Sequence, residues 1–230
     1  RYNPGDHDAQ GFDSDWNCRR TVIQYNFSHH NDLGFLLLCN NGRGGFNEDT
    51  LVRYNISYAD GGDVVRFSGP VTGARLVHNT FVLAPGMTHP MKGFAPTVIR
   101  HKSWNGWSSD ILWAANVIVH AEAGVGYVFG ESTANRFLCN AYAGVLPAEL
   151  PPDPQALRLD PRFPAVTPAR LDRAAVIEAF TPAPDSPLRG RAPPLVGQAR
   201  LDFAGRSTQS PDEPAAPGAL AVAGSRREAP

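Results

Sequence analysis

Two aspartates, Asp13 and Asp15, stand two positions apart in a short run that is predicted to form a strand. Alternate strand residues face the same side, so the two carboxylates are expected to lie together, with Cα atoms about 6.6 Å apart. Phe12 and Trp16 share the side of Ser14, which predicts that Ser14 faces the core and the aspartates point outward. Such a pair suits an inverting glycosidase or a hard cation such as Ca²⁺, and an exposed pair without a site is the alternative.

A second group of candidates contains histidines and aspartates in turns that the repeat described below places side by side. Its members are Asp6, His7, Asp8, His29, His30, Asn31, Asp32 and Asp60. Histidine beside a carboxylate can act as a general acid or base near neutral pH, and such sets also bind transition metals. His29 and His30 are predicted to be catalytic together with Asp13 and Asp15. His7 is predicted to bind substrate, and Asp6, Asp8 and Asp32 to bind a metal.

Arg66 and three aromatic residues are the remaining candidates for substrate binding. The repeat predicts a column of Asp15, Leu38 and Arg66 on successive coils, which puts Arg66 about 9.6 Å from Asp15. Arginine binds carboxylates through two parallel hydrogen bonds, so Arg66 could hold an acidic sugar, or act as the base of a lyase if its pKa were strongly lowered. Pairing with Asp63 is the alternative. Aromatic rings either stack on sugars or pack in the protein, and the residues concerned are Tyr58, Trp104 and Trp107.

An internal repeat built on asparagine must position these residues. Apolar stretches end on an Asn at positions 26, 55, 79, 116 and 140, and the opening residues 1–3 supply a sixth. The intervals are 23, 29, 24, 37 and 24 residues, so the base period is 23 to 24 with insertions. Stacked units of this length are expected to place the asparagines in one column, where they bond backbone groups that a bend leaves unpaired.

Glycine recurs within the same unit. Gly11, Gly34 and Gly124 follow an Asn by eight residues and Gly62 by seven, and a strand-like run comes after each. Two short strands per unit are therefore predicted, and glycine would supply a backbone conformation that other residues avoid. Stacking units about 4.8 Å apart would bury a core that no unit has alone, which predicts an all-β parallel β-helix, a solenoid.

The domain organisation follows from where the repeat stops. Residues 1–147 are predicted to form the coils, N-terminally truncated because the chain starts inside the repeat at Arg1. Residues 148–206 are proline-rich and are expected to wrap the end of the stack irregularly, with helical spacing only in 169–180. Residues 207–230, rich in Pro, Ala, Gly and Ser, are predicted to be a disordered tail.

Composition narrows the partners. The net charge of −1 gives no basic field for nucleic acid, and no apolar run approaches a membrane span, so neither partner is expected. The three cysteines fit no zinc spacing, and whether Cys18 and Cys39 are bonded stays open. A monomer is expected.

Several motifs resemble a known group. GFDSDWNC at 11–18, TVIQYNFSH at 21–29 and GFLLLC at 34–39 resemble bacterial secreted proteins with right-handed parallel β-helix repeats, in the pectate-lyase-like superfamily. The resemblance covers about residues 1–163. It implies a right-handed coil, a secreted or cell-surface location, and a polysaccharide as partner. The irregular Pro/Ala-rich C-terminal tail is predicted from composition instead. The expected function is polysaccharide cleavage, by a glycoside hydrolase or a polysaccharide lyase, and the alternative is a non-catalytic glycan-binding or adhesive protein.

Overall fold

The computed structural model describes residues 3, 7–165, 167–195, 198–208 and 215–222. Short strands dominate these residues, and one helix follows them. The strands are β1 Gln10–Ser14, β2 Cys18–Arg19, β3 Val22–Gln24, β4 Phe27–His29, β5 Gly34–Cys39, β6 Asn47–Glu48, β7 Leu51–Arg53, β8 Ile56–Tyr58, β9 Asp63–Ser68, β10 Arg75–Val77, β11 Thr80–Val82, β12 Thr97–Lys102, β13 Leu112–Ala114, β14 Val117–His120, β15 Gly126–Val128, β16 Arg136–Leu138, β17 Ala141–Gly144 and β18 Leu157–Arg158. The helix is α1 Arg173–Phe180.

The strands form three long sheets in which every pairing is parallel and neighbours come from successive repeats. The first sheet contains β1, β5, β9, β12 and β15, the second β3, β7, β10, β13 and β16, and the third β4, β8, β11, β14, β17 and β18. A short pair, β2 with β6, forms a fourth sheet. The chain therefore visits the three long sheets in turn and returns one strand further on, which is consistent with the predicted parallel β-helix. Each unit holds three main strands rather than the predicted two, because the asparagine itself separates two of them.

The asparagine column is confirmed for five of its predicted members. Each Asn lies between a strand of the second sheet and one of the third, and the residue before it is left-handed, with φ between 51° and 58°. The backbone N–H and side-chain amide of one Asn donate to the side-chain oxygen of the next, at 2.9 to 3.1 Å, through Asn26, Asn55, Asn79, Asn116 and Asn140. Asn3 is exposed and makes none of the ladder bonds found in the described residues.

Asp153 ends the asparagine ladder. Its Oδ2 accepts from the backbone N–H and the side-chain amide of Asn140, at 2.8 and 2.9 Å. Its Oδ1 accepts from the N–H groups of Cys139 and Gln155. The column that bonds each bend to the next is therefore closed by a carboxyl group from the segment after the last full coil.

The core of the coil is formed by side chains that point inward from all three sheets, such as Leu38, Phe67, Phe81 and Trp113, all essentially without exposed surface. Gly34 has φ 123°, and a Cβ there would lie 1.8 Å from the carbonyl oxygen of Asp63, so this position requires glycine.

A second apolar cluster lies outside the coil, on the outer face of the third sheet. Residues such as Val82 and Val117 pack there against Phe180 of α1 and Phe203 of the C-terminal segment. The segment also bonds to the coil, since the Gly218 N–H donates to the carbonyl of Ala115 at 2.8 Å. The segment that was predicted to cover the end of the stack thus runs along its side.

The end of the stack is met instead by Leu146, Leu150 and Ala156, which pack against the interior core. Disorder was predicted from 207 onward, but 215–222 are placed against the coil, with Ala219 and Leu220 buried. Residues 209–214 and 223–230 lie outside the described residues.

Candidate functional site

The outward-pointing side chains of the first sheet carry the most chemistry among the described residues, although those of its middle strands, β5 and β9, are buried. Two columns of these side chains run across the sheet, and we call them the charged face. The first column is Asp13, Leu37, Arg66 and Arg100, and the second is Asp15, Cys39, Ser68 and Lys102. Because the alternate residues Leu38 and Phe67 are buried in the core, these columns point away from it.

The predicted column of Asp15, Leu38 and Arg66 is wrong. Gly34 pairs with Gln10 rather than with Gly11, so Leu38 lies opposite Ser14 and faces the core. Arg66 lies opposite Leu37 and shares its column with Asp13. Glycine spacing misplaced the register because Gly11 sits within strand β1, whereas Gly34 begins strand β5 and closes a turn.

The aspartate pair lies as expected at the exposed end of the charged face. Asp13 and Asp15 are exposed, and Ser14 between them is 3% exposed and faces inward. Partial burial, helped by the negative charges of Asp15 and Asp8, raises the pKa of Asp13 from 3.8 to about 6. Asp13 therefore retains its proton to a higher pH than an ordinary aspartate, as a general acid must.

Cys39 completes a compact cluster with the pair. One side-chain atom from each of Asp13, Asp15 and Cys39 lies within 4.8 Å of the other two. The Cys39 thiol donates to Asp15 Oδ1 at 2.9 Å, and burial raises its pKa, so the thiol keeps its proton. A protonated thiol is a poor nucleophile and a poor ligand, so any cation held here would be held by the carboxylates. All three cysteines are free, which answers the question about Cys18.

Positive charge gathers at the other end of the charged face. Arg66 and Arg100 are neighbours in register on β9 and β12, and Lys102 lies two residues beyond Arg100. Asp63 is buried beside them and accepts from Arg100 Nε at 2.6 Å and from Thr97 Oγ1 at 2.8 Å. The direct ion pair of Asp63 is with Arg100 and not, as the sequence suggested, with Arg66, although, against the lowering effect of burial, the charge of Asp63 still raises the pKa of Arg66.

The loop 83–96 borders the positive end. His89 Nε2 lies 3.4 Å from Asp63 Oδ2, and burial lowers the pKa of His89 below its usual value. The Phe94 ring lies under two cations, 5.3 Å from Arg100 and 5.6 Å from Lys102. The loop thus shields one edge of the charged face from solvent.

Part of the predicted histidine–aspartate patch lies in two stacked turns, which the Asn31–Asp60 hydrogen bonds join. His29 and His30 adjoin each other, with Nδ1 atoms 3.3 Å apart, at the end of a strand of the third sheet. Asp60 is buried and accepts from the Ser57 hydroxyl and from Asn31, so it holds a turn together.

The aspartates proposed for a metal do not gather in the described residues. Asp8 is exposed and acts electrostatically on Asp13, whereas Asp32 is half-buried in the turn before β5. Asp6 lies outside the described residues, and His7 is exposed at the start of the segment. In the part of the chain that the structure describes, the one grouping of three potential ligands is Asp13, Asp15 and Cys39.

The predicted aromatic binders occupy three different places. Tyr58 is half-buried between His30 and Phe180, under the C-terminal helix. The Trp107 ring lies against Gly130, where an added Cβ would be 2.2 Å away. Trp104 stacks on Trp16 at a centroid distance of 5.5 Å, and each is 41% exposed.

Trp16 was predicted to face the core and instead joins this exposed aromatic pair. Its backbone N–H donates to Asp15 Oδ1 at 2.7 Å, so the pair adjoins the aspartates. Sequence reasoning also missed Arg100 and Lys102. The sequence does contain a pattern that could have found this strand. VIRH at 98–101 matches VVRF at 64–67, which predicts that Arg100 pairs with Arg66 on the next strand of the sheet.

The chain matches no protein-family model and no curated protein. Within the described residues, no helix has both the length and the apolar character needed to cross a bilayer. Fold and site geometry therefore carry the functional conclusion.

Proposed function

We propose that this protein is a secreted or cell-surface, right-handed parallel β-helix protein of the pectate-lyase-like superfamily, and that it cleaves a polysaccharide at the charged face. The all-parallel stacked sheets and the motifs at 11–39 support the class. The carrying observation is the exposed pair Asp13 and Asp15, one member of which has a pKa of about 6.

The spacing of the pair favours a retaining glycoside hydrolase. One oxygen of Asp13 and one of Asp15 lie no more than 4.8 Å apart, which is below the roughly 6.5–9.5 Å of inverting enzymes and favours the closer carboxyls of retaining ones. This replaces the inverting geometry expected from strand rise. Asp13 would protonate the leaving glycosidic oxygen, and the Asp15 carboxylate would attack the sugar carbon, after which water releases the covalent sugar.

Charge-neutral substitution of the pair tests this function. Asp13→Asn and Asp15→Asn, singly and together, are expected to abolish turnover of a cleaved polysaccharide while leaving the fold intact. Glu131→Gln removes an exposed carboxyl on a loop beyond β15 and is the matched control. Full activity in the double variant would overturn the assignment.

The products separate the competing chemistries. A retaining hydrolase yields a new reducing end with the original anomeric configuration, whereas a lyase leaves an unsaturated end that absorbs in the ultraviolet. A non-catalytic glycan-binding or adhesive protein would retain the polysaccharide and release no product at any pH.

A further inference from the structure

His29 and His30 bring two imidazole nitrogens together at the end of β4, the strand at one edge of the third sheet. Their Nδ1 atoms lie 3.3 Å apart. This is long for a hydrogen bond, because protein N–H···O bonds cluster at roughly 2.9–3.0 Å. A hydrogen bond here also requires different tautomers, with the proton on Nδ1 in one ring and on Nε2 in the other. As a hydrogen bond, the contact is therefore a weak one.

The separation matches that of two ligands on a single metal ion. Zinc binds a histidine nitrogen at about 2.0–2.1 Å. Two nitrogens 3.3 Å apart, each about 2.05 Å from one ion, subtend an angle of about 107° at that ion. The tetrahedral arrangement that zinc prefers has an angle of roughly 109°. One ion can therefore bind both rings after small rotations that turn the two lone pairs towards it.

The backbone determines where the two side chains begin. His29 ends β4 and lies opposite Tyr58 in register. His30 leaves the strand in the left-handed conformation, with φ 55°, and its N–H donates to the carbonyl of Tyr58 at 3.3 Å. Successive residues of a regular strand point to opposite faces of the sheet. The left-handed residue breaks this alternation and brings the second ring to the side of the first.

Neighbouring rings hold the two imidazoles in place. The Phe27 ring lies 5.1 Å from that of His29, and the Tyr58 ring lies 5.6 Å from that of His30, between ring centroids. Tyr58 in turn contacts Phe180 of α1, with centroids 5.9 Å apart. Side chains that are already packed lose little conformational freedom when an ion binds, which favours affinity.

The pair is also accessible and not engaged by other polar groups. His30 is exposed and His29 is half-buried. Among the described residues, the contact between the two rings is the only hydrogen bond that either imidazole makes. The histidines of the core differ, because they are buried and an ion in solution cannot reach them; they are His78, His101 and His120.

We propose that His29 and His30 form a binding site for a divalent transition-metal ion of the zinc and copper class. Imidazole nitrogen is a ligand that these ions prefer, whereas Mg²⁺ and Ca²⁺ take oxygen. The two Nδ1 atoms occupy two coordination positions, and water fills the others. The site does not depend on the proposed cleavage of a polysaccharide, because the pair lies at the third sheet and the aspartates lie on the first.

Metal titration of the whole chain, prepared without a histidine tag, tests the site. Calorimetry is expected to show one equivalent of Zn²⁺ or Cu²⁺ bound through the pair, with Cu²⁺ bound more tightly. The electron paramagnetic resonance spectrum of the Cu²⁺ complex is expected to show two nitrogen ligands. Absence of a bound equivalent, or a spectrum with fewer than two nitrogens, would overturn the proposal.

Two variants each remove one nitrogen of the pair. His29→Gln and His30→Asn are expected to weaken Zn²⁺ binding by roughly tenfold or more, because one imidazole cannot chelate. Asparagine is chosen at position 30 because it tolerates the left-handed conformation. His7→Gln removes an exposed histidine outside the pair and should bind as the wild type does. Unchanged affinity in both pair variants, or an equal loss in His7→Gln, would contradict the site.

Thermal unfolding separates a metal site from a contact that serves the fold. An ion that binds the native protein raises its unfolding midpoint, so Zn²⁺ should stabilise the wild type and His7→Gln but not His29→Gln. Without metal, the three proteins should unfold at nearly the same temperature, because the contact between the rings is weak. A His29→Gln protein that unfolds much earlier without metal, and that Zn²⁺ stabilises as much as the wild type, would assign the pair to the fold alone.

Discussion

The outer faces of the first and third sheets are built from the same coils and differ sharply in chemistry. Val82 and Val117 on the third sheet are covered by Phe180 and Phe203, so this face has become the inside of a second core. On the first sheet the outward side chains are charged instead. Asp13 lies on β1 at one end, and Arg66 and Lys102 lie on β9 and β12 towards the other.

This difference indicates that the outer face of the third sheet stabilises the fold, whereas that of the first sheet is the candidate for function. An apolar outer face lowers the free energy when another segment covers it, and the C-terminal segment does so here. A face that contains an unpaired buried arginine and an aspartate with a raised pKa opposes folding, and such groups are typical of binding or catalytic sites. The charged face is therefore the part of the coil whose side chains are not explained by packing.

The largest effect is expected from a change that removes the shared scaffold of both faces. Asn116→Ala deletes the acceptor for Asn79 N–H and Nδ2 and the donor to the carbonyl of Leu76, all buried. Leaving these groups unpaired should cost about 5 kcal/mol in the free energy of unfolding. Urea denaturation followed by circular dichroism measures this loss.

An exposed asparagine provides the control for the ladder. Asn105→Ala removes one surface hydrogen bond, to the carbonyl of Asn41, and places alanine at φ 55°, so it should cost about 1–2 kcal/mol. If both substitutions cost the same, the ladder would not be the element that holds the coils in register.

The next effect should be confined to the third sheet's outer face. Phe180→Ala opens a cavity beneath α1, where this ring contacts Tyr58 and Phe163, and is expected to destabilise the protein by about 3–4 kcal/mol. The same change on the other side, Trp104→Ala, removes half of an exposed stacked pair and should cost about 1 kcal/mol. Comparable losses would show that the two faces are equally structural.

The smallest effect should appear in the pH dependence of stability at Asp13. Its pKa of about 6 in the folded protein exceeds the usual 3.8, so folding favours the protonated carboxyl. Stability contributed by this group is complete below about pH 4, falls as pH rises through the window to 6, and is lost above it. Asp13→Asn should therefore be more stable than the wild type above pH 6, with the difference vanishing near pH 4.

The size of that gain stays below about 1 kcal/mol, because Asp13 is exposed and solvent screens its interactions. Urea midpoints of wild type and Asp13→Asn between pH 4 and 8 measure it, and Glu131→Gln serves as the comparison. A gain that does not change with pH would contradict the raised pKa.

The scaffold was predictable because its signal repeats. Asn26 to Asn140 recur at intervals that survive the loop insertions, since every bend presents the same unpaired backbone groups to the same side chain. The outward direction of Asp13 and Asp15 followed from strand alternation alone. Local rules of this kind hold whatever the loops do.

The content of the charged face was less predictable because it depends on contacts between distant coils. Trp16 contacts Trp104 only because the loop after β12 folds back across several coils. Residue spacing in the sequence does not predict such a loop path. Arg66 was predicted to share a column with Asp15 and Leu38. That was wrong because a one-residue error in register moves a side chain to the other face of the sheet. The burial of Arg66 likewise could not be predicted from the sequence, because strand alternation places this side chain on the outer face.

The carboxyl group of Asp153 determines where the asparagine ladder ends. An asparagine both accepts and donates, so each one passes the hydrogen-bond pattern to the next and elongation has no internal limit. An aspartate at the same point accepts from Asn140 and has no amide to hand on, so it acts as a chain terminator for the stack. One oxygen in place of one nitrogen thus ends the side-chain ladder after Asn140, although β18 still pairs with β17 beyond it.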